Sequence, residues 1–345
     1  MLSDTTYLPT CLPDPDSRPA KRQKTSGNAS STSTHRKDAT FWFEDGSIVL
    51  ISNQGTEFRV HLGVLSFNAE FFRDMSGLAV PDEEERGYTT IKVADSTQDL
   101  THFLHALYTR SYFHAGKPTP YDTLESLLRM STKYLAQQLR SDVIKHLMMM
   151  YPSKMNDLHK YSHLRTLRSH SHSLRAIAMA RENDVPTILP TAFYFASVIA
   201  PSRLVRLHPK PAPDDLATIL AGREKITRAA YKCAWSWLFQ RLTVDMCYNT
   251  HLCEEKRLSV VQEIAQRPRD VPYLFLDDMP HESEEERRGD SVSSDSDSEY
   301  EEERVCGPCL DAWTSSEKKN YKKVWNSLPS FFKLPKWEVL LKDSE

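Results

Sequence analysis

Between Phe41 and Tyr151 the apolar and polar positions follow a regular plan. Ile48, Val49, Leu50 and Ile51 form a mostly β-branched apolar run, Asn53-Gln54-Gly55-Thr56 supplies turn residues, and Glu57-Phe58-Arg59-Val60-His61 alternates polar with apolar. Together they predict a β-hairpin. After His61, the residues Val64, Leu65, Phe67, Phe71, Phe72 and Met75 recur at spacings that predict one helical face, with Gly77 as its stop. Thr90-Ile91-Lys92-Val93 predicts a short strand. Ser96 and Asp99 then form a capping pair ahead of Leu100, Phe103, Leu104, Leu107 and Tyr108, an unbroken helical stripe. Thr119 and Pro120 open a further helix through Leu124, Leu127, Leu128 and Ser131. Leu135, Leu139, Val143 and Leu147 mark the last one, ending near Pro152. The predicted order is strand, strand, helix, strand and three helices, an α+β domain over residues 39–151.

The flanks differ. Residues 1–38 are rich in Pro, Ser, Thr and charge and predict a disordered tail. Residues 152–280 read as a mainly α-helical domain. Within it a short helix over Asp214–Leu220 is expected to stop at Gly222, and Ile226, Ala230, Cys233 and Trp237 lie on a later stripe. Residues 281–304 are dense in like charge and predict a disordered acidic insertion. The aromatic segment 305–345 predicts a strap packed back onto the helical domain, because that much exposed apolar surface would aggregate.

A set of residues within the first plan carries a family resemblance. Asp45 precedes the apolar strand Ile48–Ile51; His61 ends the next strand, with Val64 and Leu65 three and four residues on and Phe72-Arg73 beyond. Leu107-Tyr108-Thr109 and Lys133-Tyr134 follow. This combination resembles the BTB/POZ domain, a short mixed sheet packed with helices. Two positions depart from it: Ala69 stands where the family has Ser, and Gly63 lies in a helical stretch. The resemblance implies protein–protein interaction, with self-association into a homodimer through the first strand and helix and a second face for other partners. It also permits a substrate adaptor of a cullin-type ubiquitin ligase, the scaffold contacting the loop Arg110–Thr119. The swapped N-terminal element of some members is expected to be absent, since the residues before Phe41 read as disordered. Phe41-Trp42-Phe43 would either bury in a dimer contact or cover the domain's own sheet. In the second half, Ala178, Arg181, Glu182, Asp184-Val185-Pro186, Leu189-Pro190 and Leu220-Gly222-Arg223-Glu224 look like BTB proteins of mushroom-forming (basidiomycete) fungi. The residues Trp325 to Leu340 do so too.

Composition narrows the class. A formal net charge of −3 over 345 residues gives no global pull toward nucleic acid or anionic membrane. No apolar run reaches membrane-spanning length, and the first residues lack a signal-peptide core. The expected location is intracellular, nucleus or cytoplasm, with the six cysteines free or metal-bound. Lys21, Arg22 and Lys24 form a basic cluster that is either an import signal or a solvated patch. That tail alone supports a nuclear, transcription-associated regulator; no zinc-finger array or helix-turn-helix follows, and nucleic acid is not an expected partner. Ser283, Ser294, Ser296 and Ser298 each have an acid three residues on, the pattern acid-directed kinases select.

The sharpest chemistry is Cys306-Gly307-Pro308-Cys309, a spacing at which two thiolates can hold one tetrahedral ion. Cys247 and Cys253 are the candidate partners for a structural zinc, with His251 as a substitute ligand, while Cys233 reads as a core residue. His159, His163, His170 and His172 read as a solvated face among arginines. No phosphate-binding loop, dinucleotide fingerprint or nucleophile elbow occurs, so the expected role is non-enzymatic.

Overall fold

The computed structural model describes residues 35–76, 88–161, 164, 170–207, 210–239, 244, 246–266 and 305–342. Its elements lie in the unit Arg36–Glu345. Four strands form one mixed sheet in the order β1-β3-β2-β4. β2 (Ile48–Ile51) and β3 (Thr56–Val60) are the antiparallel hairpin, with Ile48 opposite Val60 and Ile51 opposite Glu57. Gly55 turns the chain between them at φ 81°, a left-handed conformation that glycine adopts without a Cβ clash. β4 (Thr89–Lys92) runs parallel to β2.

The fourth strand corrects the sequence reading. β1 (Arg36–Trp42) runs parallel to β3, so residues 36–38 are sheet rather than tail. The Arg36 N–H donates to Gly55 O at 3.0 Å, and the Asp38 carboxylate accepts from the Thr40 and Phe41 N–H groups. Backbone pairing makes this strand; Phe41 is its only buried residue.

The expected single helix after His61 is two. α1 (Leu62–Asn68) and α2 (Glu70–Ser76) break at Ala69, whose backbone is extended at φ −141°. The N–H groups of Glu70 and Phe71, which begin α2, are directed at the carbonyls of Leu135 and Tyr134. Leu135 itself turns left-handed at φ 55° and is exposed, so it belongs to a linker rather than to the final stripe. α3 (Thr97–Tyr108) starts as its pattern predicts, with Ser96 Oγ accepting from the Asp99 N–H at 3.0 Å and donating to its carboxylate at 2.8 Å. α4 (Tyr121–Lys133) and α5 (Gln137–Met150) follow.

α4 serves two cores. Met130 joins the sheet, α1, α2 and α3 in the first, while Leu124, Leu127 and Leu128 join the second. That second core continues through α6 (His170–Glu182), α7 (Leu189–Val198), α8 (Pro213–Ala229) and α10 (Gly307–Asn326); α9 (Thr250–Gln266) lies between the last two in sequence. Arg175 of α6 strengthens the seam by pairing with Glu125 and Asp122 of α4. His172 does not lie on a solvated face: it stacks on Tyr121 of α4 at 4.4 Å. Leu328, Pro329, Phe332 and Leu340 are buried, and Phe332 stacks on Phe193 of α7 at 5.3 Å.

Gly222 does not end a helix; α8 runs through it. Its role is close approach, because a Cβ built there would lie 2.1 Å from Phe332 Cε1. Gly222→Ala is therefore expected to lower stability. Overpacking costs about 1–3 kcal/mol, against about 1 kcal/mol gained in helix propensity, and the 2%-exposed Phe332 ring has little room to retreat. A lower urea midpoint at unchanged helix content is the expected readout.

Candidate functional site

Two surfaces and one buried cluster bring the candidate functional residues together. In the first, Asp45, His61 and Tyr108 form a chain across the hairpin and α3. His61 Nε2 lies 3.1 Å from Asp45 Oδ1, and its Nδ1 lies 3.2 Å from the Tyr108 hydroxyl. That hydroxyl also accepts from the His61 N–H at 2.9 Å. The bond to His61 holds the Asp45 carboxyl below the usual range, and burial pushes the Tyr108 phenol up. Phe43 stacks on Tyr108 at 5.3 Å and lies tilted against His61 at 4.9 Å, and Phe41 packs edge-on against His105 and Tyr108. Phe41 and Phe43 thus cover their own domain. Trp42 is half-buried with Lys37 over its ring at 4.1 Å.

Leu65 and Phe72 are buried, Val64 is partly so, and exposed Arg73 donates from Nε to Ser66 O at 3.2 Å. On the outer side of the same helices Phe67 is 83% exposed and Phe71 44%. Behind them lies a residue the sequence reading did not single out. The Asp95 carboxylate accepts from Lys133 Nζ at 2.7 Å and from the Tyr134 hydroxyl at 2.5 Å. The signal was an acid directly before the Ser96 cap. The loop 110–119 is pinned as well: Tyr112 stacks on His105 at 4.8 Å, and the Gly116 N–H donates to His146 Nδ1 at 3.0 Å.

The buried cluster is built from two segments of the C-terminal half that are more than fifty residues apart in sequence. Cys247 precedes α9, Cys253 sits in its first turn, Cys306 caps α10 and Cys309 follows in that helix. The four sulfurs all lie within 4.8 Å of one another. Cys253, Cys306 and Cys309 are buried and Cys247 is partly so. Cys306 Sγ is 3.7 Å from Cys247 Sγ, and the Cys306 N–H points at Cys253 Sγ at 3.4 Å. Four bonds of about 2.3 Å from a tetrahedral ion set sulfurs about 3.8 Å apart along each edge. The cluster can therefore hold a metal ion.

Burial pushes all three buried thiols up, but Cys306 ends lower, at about 7, because the Cys309 N–H and the three other thiols hydrogen-bond its thiolate. Cys253 and Cys309 stay raised, burial being the largest cause. His251 takes no part: its side chain is 95% exposed and lies 3.9 Å from Glu255. Cys233 is partly buried against the second core.

Lys21, Arg22 and Lys24, and Ser283, Ser294, Ser296 and Ser298, lie outside the described residues. Among the described residues no helix is long and apolar enough to cross a membrane. No curated protein matches the chain, and the resemblance of its second half to proteins of mushroom-forming fungi gains no support. Residues 41–156 match the family model described as BTB/POZ domain, which makes this stretch, with its mixed sheet and five helices, a protein-interaction domain of that family.

Proposed function

We propose that the protein acts by binding other proteins, and that α1 and α2 form the self-association surface. The observation that carries this is the pair of exposed rings on those helices, Phe67 at 83% and Phe71 at 44%. Large aromatic groups presented to water on a rigid element are the usual anchors of a protein interface. Phe67 faces water, whereas Phe71 also packs edge-on against Phe72 and Tyr134 at 5.3 Å each, so unchanged helix content by circular dichroism is the control for the serine variants. The double variant Phe67→Ser/Phe71→Ser is expected to weaken self-association about tenfold or more, the scale of an interface anchor. Sedimentation of wild type and variant across a concentration series checks this. Identical sedimentation of the two would end the assignment of that face.

A narrower role, substrate adaptor of a cullin-type ubiquitin ligase, is supported by the join between the two halves. Arg175 locks α6 to α4, so a target held by the helical half would be presented at a fixed angle to the BTB domain. Binding of the purified chain to a purified cullin scaffold is the measurement, and no binding to any cullin would sink the role.

The ion in the four-cysteine cluster is zinc on this reading. Four sulfur donors within 4.8 Å of one another, three of them buried, suit Zn²⁺ in a structural rather than a catalytic role, since four thiolates would fill a tetrahedral shell.

A further inference from the structure

Resting on that zinc reading, we propose that the bound ion is what docks α9 onto the rest of the molecule, making α9 a metal-conditional element. The reason is what α9 lacks. A seventeen-residue helix ordinarily docks through an apolar stripe. Over residues 250–262 of α9 the only buried side chains are Cys253 and Arg257, while Val260 and Val261 are partly covered and Leu258 faces solvent.

Nor does Arg257 supply the missing hold. Its guanidinium pairs chiefly with Glu254 of the same helix, at 2.5 Å and 3.0 Å, and reaches outward only to the carbonyl of Leu238. Among the described side chains of α9, with Val260 and Val261 only partly covered, the most buried anchor left is the thiol cluster at the helix start. Without metal that cluster offers weak S–H hydrogen bonds; with metal it offers four coordinate bonds.

The opposite side of the centre is different. α10 has its own apolar anchors: Trp313 stacks on Trp237 at 5.3 Å, and Val324 and Trp325 are buried. Its first turn carries Cys306 and Cys309, but its body does not depend on them. Loss of metal should therefore act unequally, freeing α9 and the first turn of α10 while the rest of α10 stays docked. Because a preformed site is rare in an unfolded segment, metal binding and the ordering of that segment are one linked event.

The test uses the full chain, purified under reducing conditions, with metal analysis and hydrogen–deuterium exchange read by mass spectrometry. We expect one zinc per chain. After chelation with thiols kept reduced, peptides from 250–266 and 305–310 should exchange about tenfold faster or more, the mark of local opening. Peptides from 313–332 and from 41–151 should keep their protection, and one equivalent of zinc chloride should restore the rest. A chain that neither carries nor takes up zinc overturns the zinc reading itself. Zinc present but α9 unchanged on its removal overturns only the docking role. Loss of protection across 170–342 together would also overturn it, because the metal would then be a requirement of the whole helical half.

Discussion

Replacing Trp325 with alanine is expected to cost about 3–5 kcal/mol of stability, the range for deleting a buried large aromatic. Trp325 is 1% exposed near the end of α10. Its indole N–H donates to Ser153 O at 2.7 Å, joining residues 172 apart in sequence, and its ring meets Tyr194 edge-on at 6.2 Å. The Trp325 carbonyl in turn accepts from the Trp337 indole at 3.3 Å. The Trp325 side chain thus ties α10 to the exit of the BTB domain, while its backbone carbonyl holds Trp337. Deletion leaves a cavity and an unpaired carbonyl, and the two costs add because the surrounding helices cannot collapse into the space.

Trp325→Phe separates the terms. It keeps most of the apolar volume and loses the hydrogen bond, so a loss of about 1–2 kcal/mol is expected. Urea denaturation of both variants measures the difference. Equal losses for Ala and Phe would mean that the bond to Ser153, rather than the packing, holds the strap.

Much of the BTB domain could be read from neighbours in the chain. The hairpin needed only β-branched residues around Asn53–Gly55, and α3 needed only Ser96, Asp99 and a regular stripe. What escaped depends on distant partners. β1 has one buried residue and exists because β3, twenty residues on, offers its edge. The break at Ala69 answers to carbonyls at Tyr134 and Leu135, and Gly222 answers to Phe332 rather than to the end of its own helix. All four cysteines of the candidate metal centre were legible as candidates, Cys306 and Cys309 by their spacing and Cys247 and Cys253 as the partners they need; that the four sulfurs lie within 4.8 Å of one another depends on packing between distant segments. Phe67 and Phe71 were placed on one helical face with Leu65 and Phe72, but the chain there forms two helices either side of Ala69, with Leu65 and Phe72 buried and Phe67 and Phe71 exposed.

Asp95 supplies the second large effect. Asp95→Ala is expected to destabilise the BTB domain by about 2–4 kcal/mol, most of it the penalty for a buried hydroxyl left without an acceptor. The reason lies in the two partners' different exposure. Lys133 is 43% exposed, so its ammonium returns to water when the carboxylate goes. Tyr134 is 1% exposed, stacked between Phe72 at 4.9 Å and Phe103 at 5.5 Å, and its hydroxyl cannot follow. Burial, and then the bond to Asp95, keep that phenol protonated and donating far above neutral pH. Asp95→Asn retains an amide oxygen for Tyr134 and gives up only the ion pair to a partly solvated lysine. It should cost about 1 kcal/mol, the scale of a surface-accessible salt bridge. Tyr134→Phe removes the orphaned donor in advance, so the double variant Asp95→Ala/Tyr134→Phe should be more stable than the sum of the single losses predicts. Chemical denaturation of the four proteins in the cycle measures the coupling. Strict additivity would show that the carboxylate acts through Lys133 or the Ser96 cap instead.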